Sequence, residues 1–292
     1  AIVNDHSFIV DNYVPEGCKQ MGCDLAFYDG HFYSGFAPGA SIIPVPIMFI
    51  FKPLFNVLPE SFMGYSKVKL GSILANILAT IFVSSLLSAL LSVILYKFSK
   101  YFTNNKKTRL LITFTFAFGT LFFSYSTEYA ARIVGTFFSF SAFYLLFKAK
   151  HEGVRGSYIF FAGLLGGLAV FTEYTQAIVV LFLFIYLLTF LRNKKIFYFI
   201  LGGAIMAVIL MACHYSMFDN PFSTAYAHRA GMDKAIMSPG FYGSVFRPNP
   251  YVVWALSLGF EKGIIWFVPI SILSFLGLFL VLRKRDHKYF TE

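Results

Sequence analysis

Residues 70–96 read LGSILANILATIFVSSLLSALLSVILY, 27 consecutive positions without an Asp, Glu, Lys or Arg. At 1.5 Å per residue a helix of this length reaches about 40 Å, more than the ~30 Å hydrocarbon core of a bilayer, so it is expected to tilt or to project beyond it. Six further charge-free stretches follow, at 110–127, 133–147, 156–172, 174–191, 196–213 and 263–282. Several sit at the short end of the ~17–25 residues that a crossing takes. The pattern predicts an all-α, polytopic helical membrane protein of about seven transmembrane helices.

Composition points the same way. Of 292 residues, 58% are hydrophobic, 20% aromatic and only 13% charged, and the mean hydropathy is +0.68. Soluble domains carry roughly 25% charged residues, so a soluble globule is excluded. A net charge of +10 could signal a nucleic-acid partner, but no basic face, zinc spacing or aromatic RNA-binding signature accompanies it. Topology explains the charge instead. Segments 97–109, 148–155, 192–195 and 283–288, with the tail, hold 15 basic and 3 acidic residues, which leaves 9 basic and 11 acidic elsewhere. Basic residues in short loops stay in the cytoplasm, so these four segments are assigned there and everything before residue 70 is assigned outside.

That assignment constrains 40–58, ASIIPVPIMFIFKPLFNVL, which is apolar yet has both ends outside. Pro44, Pro46 and Pro53 remove backbone donors and Lys52 interrupts the run, so a helix lying in the outer interface is expected rather than a span. The organisation read from the chain is an outer segment 1–69 with this interfacial helix and a six-helix bundle 70–213. An outer loop 214–262 and a final span with a cytoplasmic tail, 263–292, complete it. The chain has no initiator Met and opens in a polar segment on the outer side, so a preceding N-terminal span is expected.

Polar chemistry collects on the outer side. FYDGHFYSGFAPG (27–39) carries Tyr28, Asp29, His31 and Tyr33; the short turns 125–132 and 171–176 carry Glu128, Arg132 and Glu173; the loop after 213 carries His214, His228 and Arg229. Asp29-Gly30 is a turn signal, and the rings around it suit either a sugar face or the interfacial aromatic belt. Glu128 and Arg132, at i and i+4, suit either a simple ion pair or an active-site role. Cys18 and Cys23 lie where a disulfide is permitted, and two free thiols are equally compatible with the spacing. Cys213 reads as a packed apolar residue. Gly163, Gly166, Gly167, Gly202 and Gly203 suit close helix contact. The sequence holds no N-x-S/T sequon, P-loop, G-x-S-x-G, H-E-x-x-H or C-x-x-C, and no metal-ligand spacing.

Four segments, DLAFYDGHFYSGFAPGASIIPVP (24–46), GTLFFSYSTEY (119–129), AGLLGGLAVFTEYTQAI (162–178) and NPFSTAYAHR (220–229), carry a resemblance. Together, and in this order, they resemble the polyprenyl-phosphate-sugar-dependent glycosyltransferases of the GT-C superfamily, in the branch of protein O-mannosyltransferases and aminoarabinose transferases. The resemblance implies inverting transfer of a sugar from a polyprenyl-phosphate donor to a glycan, lipid or protein acceptor at the extracytoplasmic face of the cell membrane. It implies that Asp29 and His31 position sugar or acceptor, and with Glu128 and Glu173 from the outer turns they are the catalytic candidates. Tyr28, Tyr33, Arg132, His228 and Arg229 would bind substrate or phosphate, with a divalent metal as an optional cofactor and membrane lipid, not nucleic acid, as the surroundings. Departures are visible. The family's usual catalytic carboxylate lies before the point where this chain starts, a Lys common before the A-P-G element is Phe36, and Arg132 stands where relatives often place a His or Asp. These departures are expected of the middle of a longer enzyme or of an inactive copy. A secondary transporter would place ionisable groups at the bilayer midplane, whereas these spans are charge-free; a non-catalytic membrane scaffold is the other alternative.

Single cysteines test the topology. With native thiols blocked, Asn104→Cys and Asn193→Cys should react with an impermeant reagent only from the cytoplasmic side, and Asn12→Cys and Ala235→Cys only from outside. Labelling of position 235 from the cytoplasm would overturn the charge-based assignment.

Overall fold

The computed structural model describes residues 1–14, 18, 24–230 and 250–284. It is helical throughout, apart from two short hairpins. After a 3-10 turn at Asp11–Tyr13, strands β1 (Leu25–Tyr28) and β2 (His31–Ser34) pair antiparallel, with Ala26 opposite Tyr33 and Tyr28 opposite His31. Helices α1 (Pro38–Ile42), α2 (Val45–Ile50) and α3 (Lys52–Asn56) follow, then the hairpin β3 (Ser61–Phe62) and β4 (Tyr65–Ser66). The main helices are α4 (Lys67–Tyr101), α5 (Lys106–Gly119), α6 (Leu121–Ser126), α7 (Ala131–Glu152), α8 (Gly156–Thr172), α9 (Gln176–Phe190) and α10 (Ile196–Phe218). After a 3-10 turn at Ala225–His228, the described chain closes with α11 (Pro250–Ser257), α12 (Ile264–Phe267) and α13 (Ser271–Lys284).

Among the described residues, α4, α7 and α10 are long and apolar enough to cross a membrane, and Pro38–Ile50, Gly156–Thr172, Gln176–Phe190 and Ser271–Leu280 are shorter apolar helical stretches. Their outward side chains confirm the solvent: Phe182 and Val208 are 64% and 65% exposed in helices with no charged residue, a surface that hydrocarbon and not water would cover. The protein is an integral membrane protein of the all-α class.

Several predicted spans take a different form, each for a local reason. Helix α4 is longer than 70–96 because Ser66 caps it, accepting from the Lys69 amide; its 35 residues reach roughly 50 Å. Stretch 110–127 is broken at Thr120, which is extended (φ −129°, ψ 172°); its hydroxyl donates to the Phe116 carbonyl and accepts from the Phe122 amide, replacing helical hydrogen bonds. Stretch 263–282 splits into α12 and α13 around Pro269, which has no amide proton to continue a helix. Likewise 40–58 is three short helices rather than one, with a proline in the first turn of each of α1, α2 and α3.

The chain divides into two compact units, Ala1–Leu91 with Tyr125–Gly243, and Ser92–Ser124 with Ser244–Glu292. In the second, Arg109 is buried: its guanidinium donates to the Tyr96 carbonyl at 2.9 Å and lies 4.0 Å from the Tyr96 ring centre. This cation is therefore a structural clasp and not a solvated loop residue.

The first unit holds every candidate site residue. Its core is built where α7, α8, α9 and α10 meet, around Ala142, Leu146, Ile159, Ala162, Leu187 and Phe199. The crossing of α8 and α10 is the closest. A Cβ at Gly163 would stand 2.0 Å from the Phe199 carbonyl oxygen, and one at Gly202 would stand 2.2 Å from that of Phe160. Without hydrocarbon exclusion to drive association inside a bilayer, such backbone approach supplies much of the packing energy. In α4, a π-helical stretch, Thr80–Ser85, carries two serines that bond the turn before α7: Ser85 Oγ donates to the Ser126 carbonyl and Ser84 Oγ accepts from the Ala130 amide.

Gly163→Val should force α8 and α10 apart. A drop of melting temperature in detergent of several degrees, corresponding to about 1–3 kcal/mol of overpacking, is expected; an unchanged melting curve would contradict the crossing.

Candidate functional site

The site is assembled on the β1–β2 hairpin. Asp29 and Gly30 both have positive φ, 47° and 83°, the requirement of a two-residue type I′ turn, which is why Asp-Gly stands there. The turn leaves Asp29 exposed at the tip. The alternation of the strands buries Ala26 and Tyr33 on one side, where they pack with Ala37, Tyr174, Met217, Phe218, Ala225 and Tyr226. Phe218, the last residue of α10, is 1% exposed and is the centre of a ring cluster: Tyr33 and Tyr28 meet it edge-on at 5.6 and 5.9 Å, and His228 stacks on it at 4.7 Å. Tyr28 also meets His228 edge-on at 4.9 Å, and Ser223 Oγ lies 2.7 Å from His228 Nε2.

Arg229 locks this assembly. It is 3% exposed, its Nη1 donates to Asp24 Oδ1 at 2.7 Å, and its guanidinium lies 5.3 Å from both the Phe36 and the Tyr226 ring centres. The backbone reinforces the pair: the Ala230 amide donates to the Leu25 carbonyl, so residues 229–230 extend the hairpin beside β1. The Gly35 amide donates to the Asp24 carbonyl, and a Cβ at Gly35 would fall 2.7 Å from Arg229 Nη1, so the guanidinium passes only because a glycine stands there.

The second arrangement is on the outer edge of the hairpin. Asp11 accepts the Phe32 amide at 2.6 Å with one oxygen and faces His31 Nδ1 at 2.7 Å with the other, while the Val10 amide donates to the Phe32 carbonyl. A carboxylate at Nδ1 holds the proton there and leaves Nε2 as the lone-pair nitrogen. Burial pushes the Tyr33 phenol above its ordinary range, and the carboxylates of Asp11, Asp219 and Asp29 add to the rise.

A third arrangement fastens the turn between α8 and α9. The Tyr226 hydroxyl donates to Glu173 Oε1 at 3.3 Å, as does the Thr175 hydroxyl, and the Tyr174 and Tyr226 rings meet edge-on at 5.1 Å. Tyr174 Oη and His214 Nε2 lie 2.8 Å apart, and His214 Nδ1 is 3.3 Å from the Pro221 carbonyl. A carbonyl only accepts, so Nδ1 carries the proton and Tyr174 donates to Nε2. Burial raises the Tyr174 phenol strongly and keeps it a donor.

Glu173, His228, Arg229, Tyr28, Tyr33 and His31 are thus brought to one end of the first unit. Glu128 is exposed on the turn before α7 and Arg132 is exposed in the first turn of α7, where it lies over the Tyr125 ring at 5.9 Å; among the described residues they form no ion pair. Tyr129, between them, donates to the Ala40 carbonyl in α1, and burial raises its phenol strongly. A cavity of about 610 Å³ lies beneath this end. Met48, Phe55, Val68, Ala75 and Met217 give it apolar walls, Ser34 and Phe36 form its border with the hairpin, and Lys52 and Lys67 supply cations. Lys67 is paired with Glu60 at 2.9 Å, whereas Lys52, half-buried near the Phe49 ring, has no carboxylate partner among the described residues. Asp29, His31, Glu128, Arg132, Glu173 and Arg229 are not among the lining residues.

Asp11, Asp24, Tyr174 and Tyr226 were not singled out as site residues in the sequence. Only long-range pairing gives them a role, since 205 positions separate Asp24 from Arg229. Lys52 did carry a signal, as the one charge in an apolar run. Among the described residues no group of three His, Cys, Asp or Glu side chains could hold a metal ion. Cys18 is disulfide-bonded and Cys213 is a free thiol; Cys23, Asp233, Lys234 and Arg247 lie outside the described residues.

Fold and site define an integral membrane protein whose apolar helix bundle carries a cluster of carboxylate, imidazole and tyrosine side chains around a buried guanidinium at one end. The sequence model of the dolichyl-phosphate-mannose-protein mannosyltransferase family matches residues 68–215, just over half of the 292, and the chain belongs to that family. It is accordingly a membrane glycosyltransferase of the mannosyltransferase type, using a polyprenyl-phosphate sugar donor. No curated protein and no solved structure matches the chain.

Burial holds His228 below the ordinary histidine range. An unfolded imidazole takes up its proton near pH 6.5 while the folded one resists, so this stabilisation is complete above about 6.5 and is lost as pH falls below it. The melting temperature should therefore fall on acidification from pH 7.5 to 5.5, and fall less in His228→Phe, which keeps the stacked ring. An equal fall in both would contradict the burial of a neutral His228.

Proposed function

We propose that the chain transfers mannose from a polyprenyl-phosphate donor to a hydroxyl group of a protein acceptor, with inversion, at the extracytoplasmic face of the cell membrane. The observation that carries this reading is continuity. Ser34 and Phe36, which follow His31 along one strand and its extension, border the apolar cavity, so one short segment joins a lipid-sized apolar volume to a polar surface. Family membership supports the donor class, and the loop charges support the face.

In this mechanism the prenyl tail occupies the cavity and Lys52, which lines it, faces the lipid phosphate. His31 acts as the base, its Nδ1 held by Asp11. The acceptor oxygen attacks the anomeric carbon and gives its proton to Nε2. The carbon–oxygen bond to phosphate breaks on the opposite face, and its electron pair leaves with the lipid phosphate, whose growing charge Lys52 stabilises. Asp29 and Tyr28 contact sugar or acceptor at the hairpin tip, and Glu128 and Arg132, exposed outside the cavity, take no part in the step. Arg229, Glu173, Tyr33 and His228 act through the hairpin as positioning residues, because each is bonded or packed into the fold. A required metal forms no part of the proposal.

With radiolabelled polyprenyl-phosphate mannose and a hydroxyl-bearing peptide, His31→Gln should lower kcat about 10²-fold with little change in donor KM. Asp11→Asn should lower kcat with little change in donor KM, and Lys52→Met should chiefly raise donor KM. Unchanged transfer in all three would overturn the assignment.

A further inference from the structure

The far end of the first unit carries the opposite character. Helix α7 leaves the site end at Ala131 and runs 22 residues, about 33 Å, to Glu152, so the α7–α8 and α9–α10 loops lie away from the hairpin. Lys148, Lys150, Arg155, Arg192, Lys194 and Lys195 collect there, against the single carboxylate of Glu152, 3.5 Å from Lys148. The two loops are joined: Lys195 Nζ donates to the Val154 carbonyl at 3.1 Å, and the Tyr198 ring packs on Gly156. Lys148 and Arg155 both lie over the Tyr158 ring, at 5.3 and 5.5 Å, and Lys150 lies 5.5 Å from that of Tyr186. Arg192 and Lys194 are exposed and have no carboxylate partner among the described residues.

Beside them is a cavity of about 550 Å³ whose rim is Lys194 and Lys195 and whose wall is Ile196, Phe197, Tyr198 and Ile200. Phe197 is 63% exposed and Ile200 49% exposed, both at the start of an apolar span. A free anion would be served by the cations alone. A rim of cations above outward-facing apolar side chains matches a molecule that is anionic at one end and hydrocarbon below, at the depth where headgroup passes into acyl chain.

We propose that this end of the protein binds an anionic phospholipid, with its headgroup phosphate at Arg192, Lys194 and Lys195 and its acyl chains along Phe197 and Ile200. The site is separate from the proposed donor cavity and is independent of the transfer reaction. It ties the α9–α10 loop to the headgroup layer and thereby sets the depth of α10, whose other end carries Phe218.

The test uses the purified protein in mild detergent, titrated with phosphatidylglycerol or phosphatidylcholine of the same chain length and read by native mass spectrometry. Phosphatidylglycerol should bind about tenfold more tightly. Arg192→Gln/Lys194→Gln, two exposed positions that leave the fold intact, should reduce phosphatidylglycerol to the phosphatidylcholine level without changing the latter. The charge-matched control Lys106→Gln/Lys107→Gln should keep the preference. Equal binding of both lipids, retention of the preference in Arg192→Gln/Lys194→Gln, or an equal loss in the control would overturn the proposal. So would displacement of phosphatidylglycerol by millimolar inorganic phosphate, which would assign the cations to a free anion.

Discussion

The pairing of Asp24 with Arg229 is the constraint on which the polar end depends. It joins residues 205 positions apart, one ahead of the hairpin and one beyond the last helix of the bundle core, and it does so with a guanidinium that has almost no contact with solvent. A buried cation without its carboxylate is costly, so the hairpin cannot leave while Arg229 stays. The Phe36 and Tyr226 rings on either side and the 229–230 backbone bond to β1 make the same attachment by other means. From it follow the seat of Tyr28, Tyr33 and His228 around Phe218 and the fastening of Tyr226 to Glu173.

Much of the helical frame was legible because lipid imposes a simple rule on sequence. Charge-free runs became helices α4, α7, α8, α9 and α10, of which α4, α7 and α10 are long and apolar enough to cross a membrane, and the glycines of AGLLGGL lie at the closest helix crossing. Interruptions were less legible. Thr120 ends α5 through its own side-chain hydrogen bonds, and nothing in its neighbours distinguishes it from Thr113 or Thr136, whose hydroxyls bond back to carbonyls within intact helices. The prolines of 40–58 did announce breaks, yet the break into three helices depends on where each proline falls within a turn.

The site was legible as a set of regions and not as a set of contacts. Asp29-Gly30 announced a turn, because only certain residues accept its positive φ values, but not the strands on either side of it. The Asp11–His31 and Asp24–Arg229 pairs could not be found from spacing, since neither is local and each carboxylate had several candidate cations. Glu128 and Arg132 show the reverse case: i and i+4 spacing suggests an ion pair, but α7 begins only at Ala131, so Arg132 is helical while Glu128 lies before the extended Ala130, and the pair does not form.

An apolar cavity beneath a polar, rigidly attached hairpin is the arrangement that a lipid-linked sugar requires, since one molecule must be hydrocarbon at one end and reactive at the other. The most direct measurement is photocrosslinking with a polyprenyl phosphate that carries a diazirine in its tail, in membranes containing the protein, followed by peptide mapping. The account predicts adducts at 45–56 and 68–75, competed by unlabelled polyprenyl-phosphate sugar. Adducts confined to the outward face of α9, at 179–188, at the level given by a photoreactive phospholipid would contradict it.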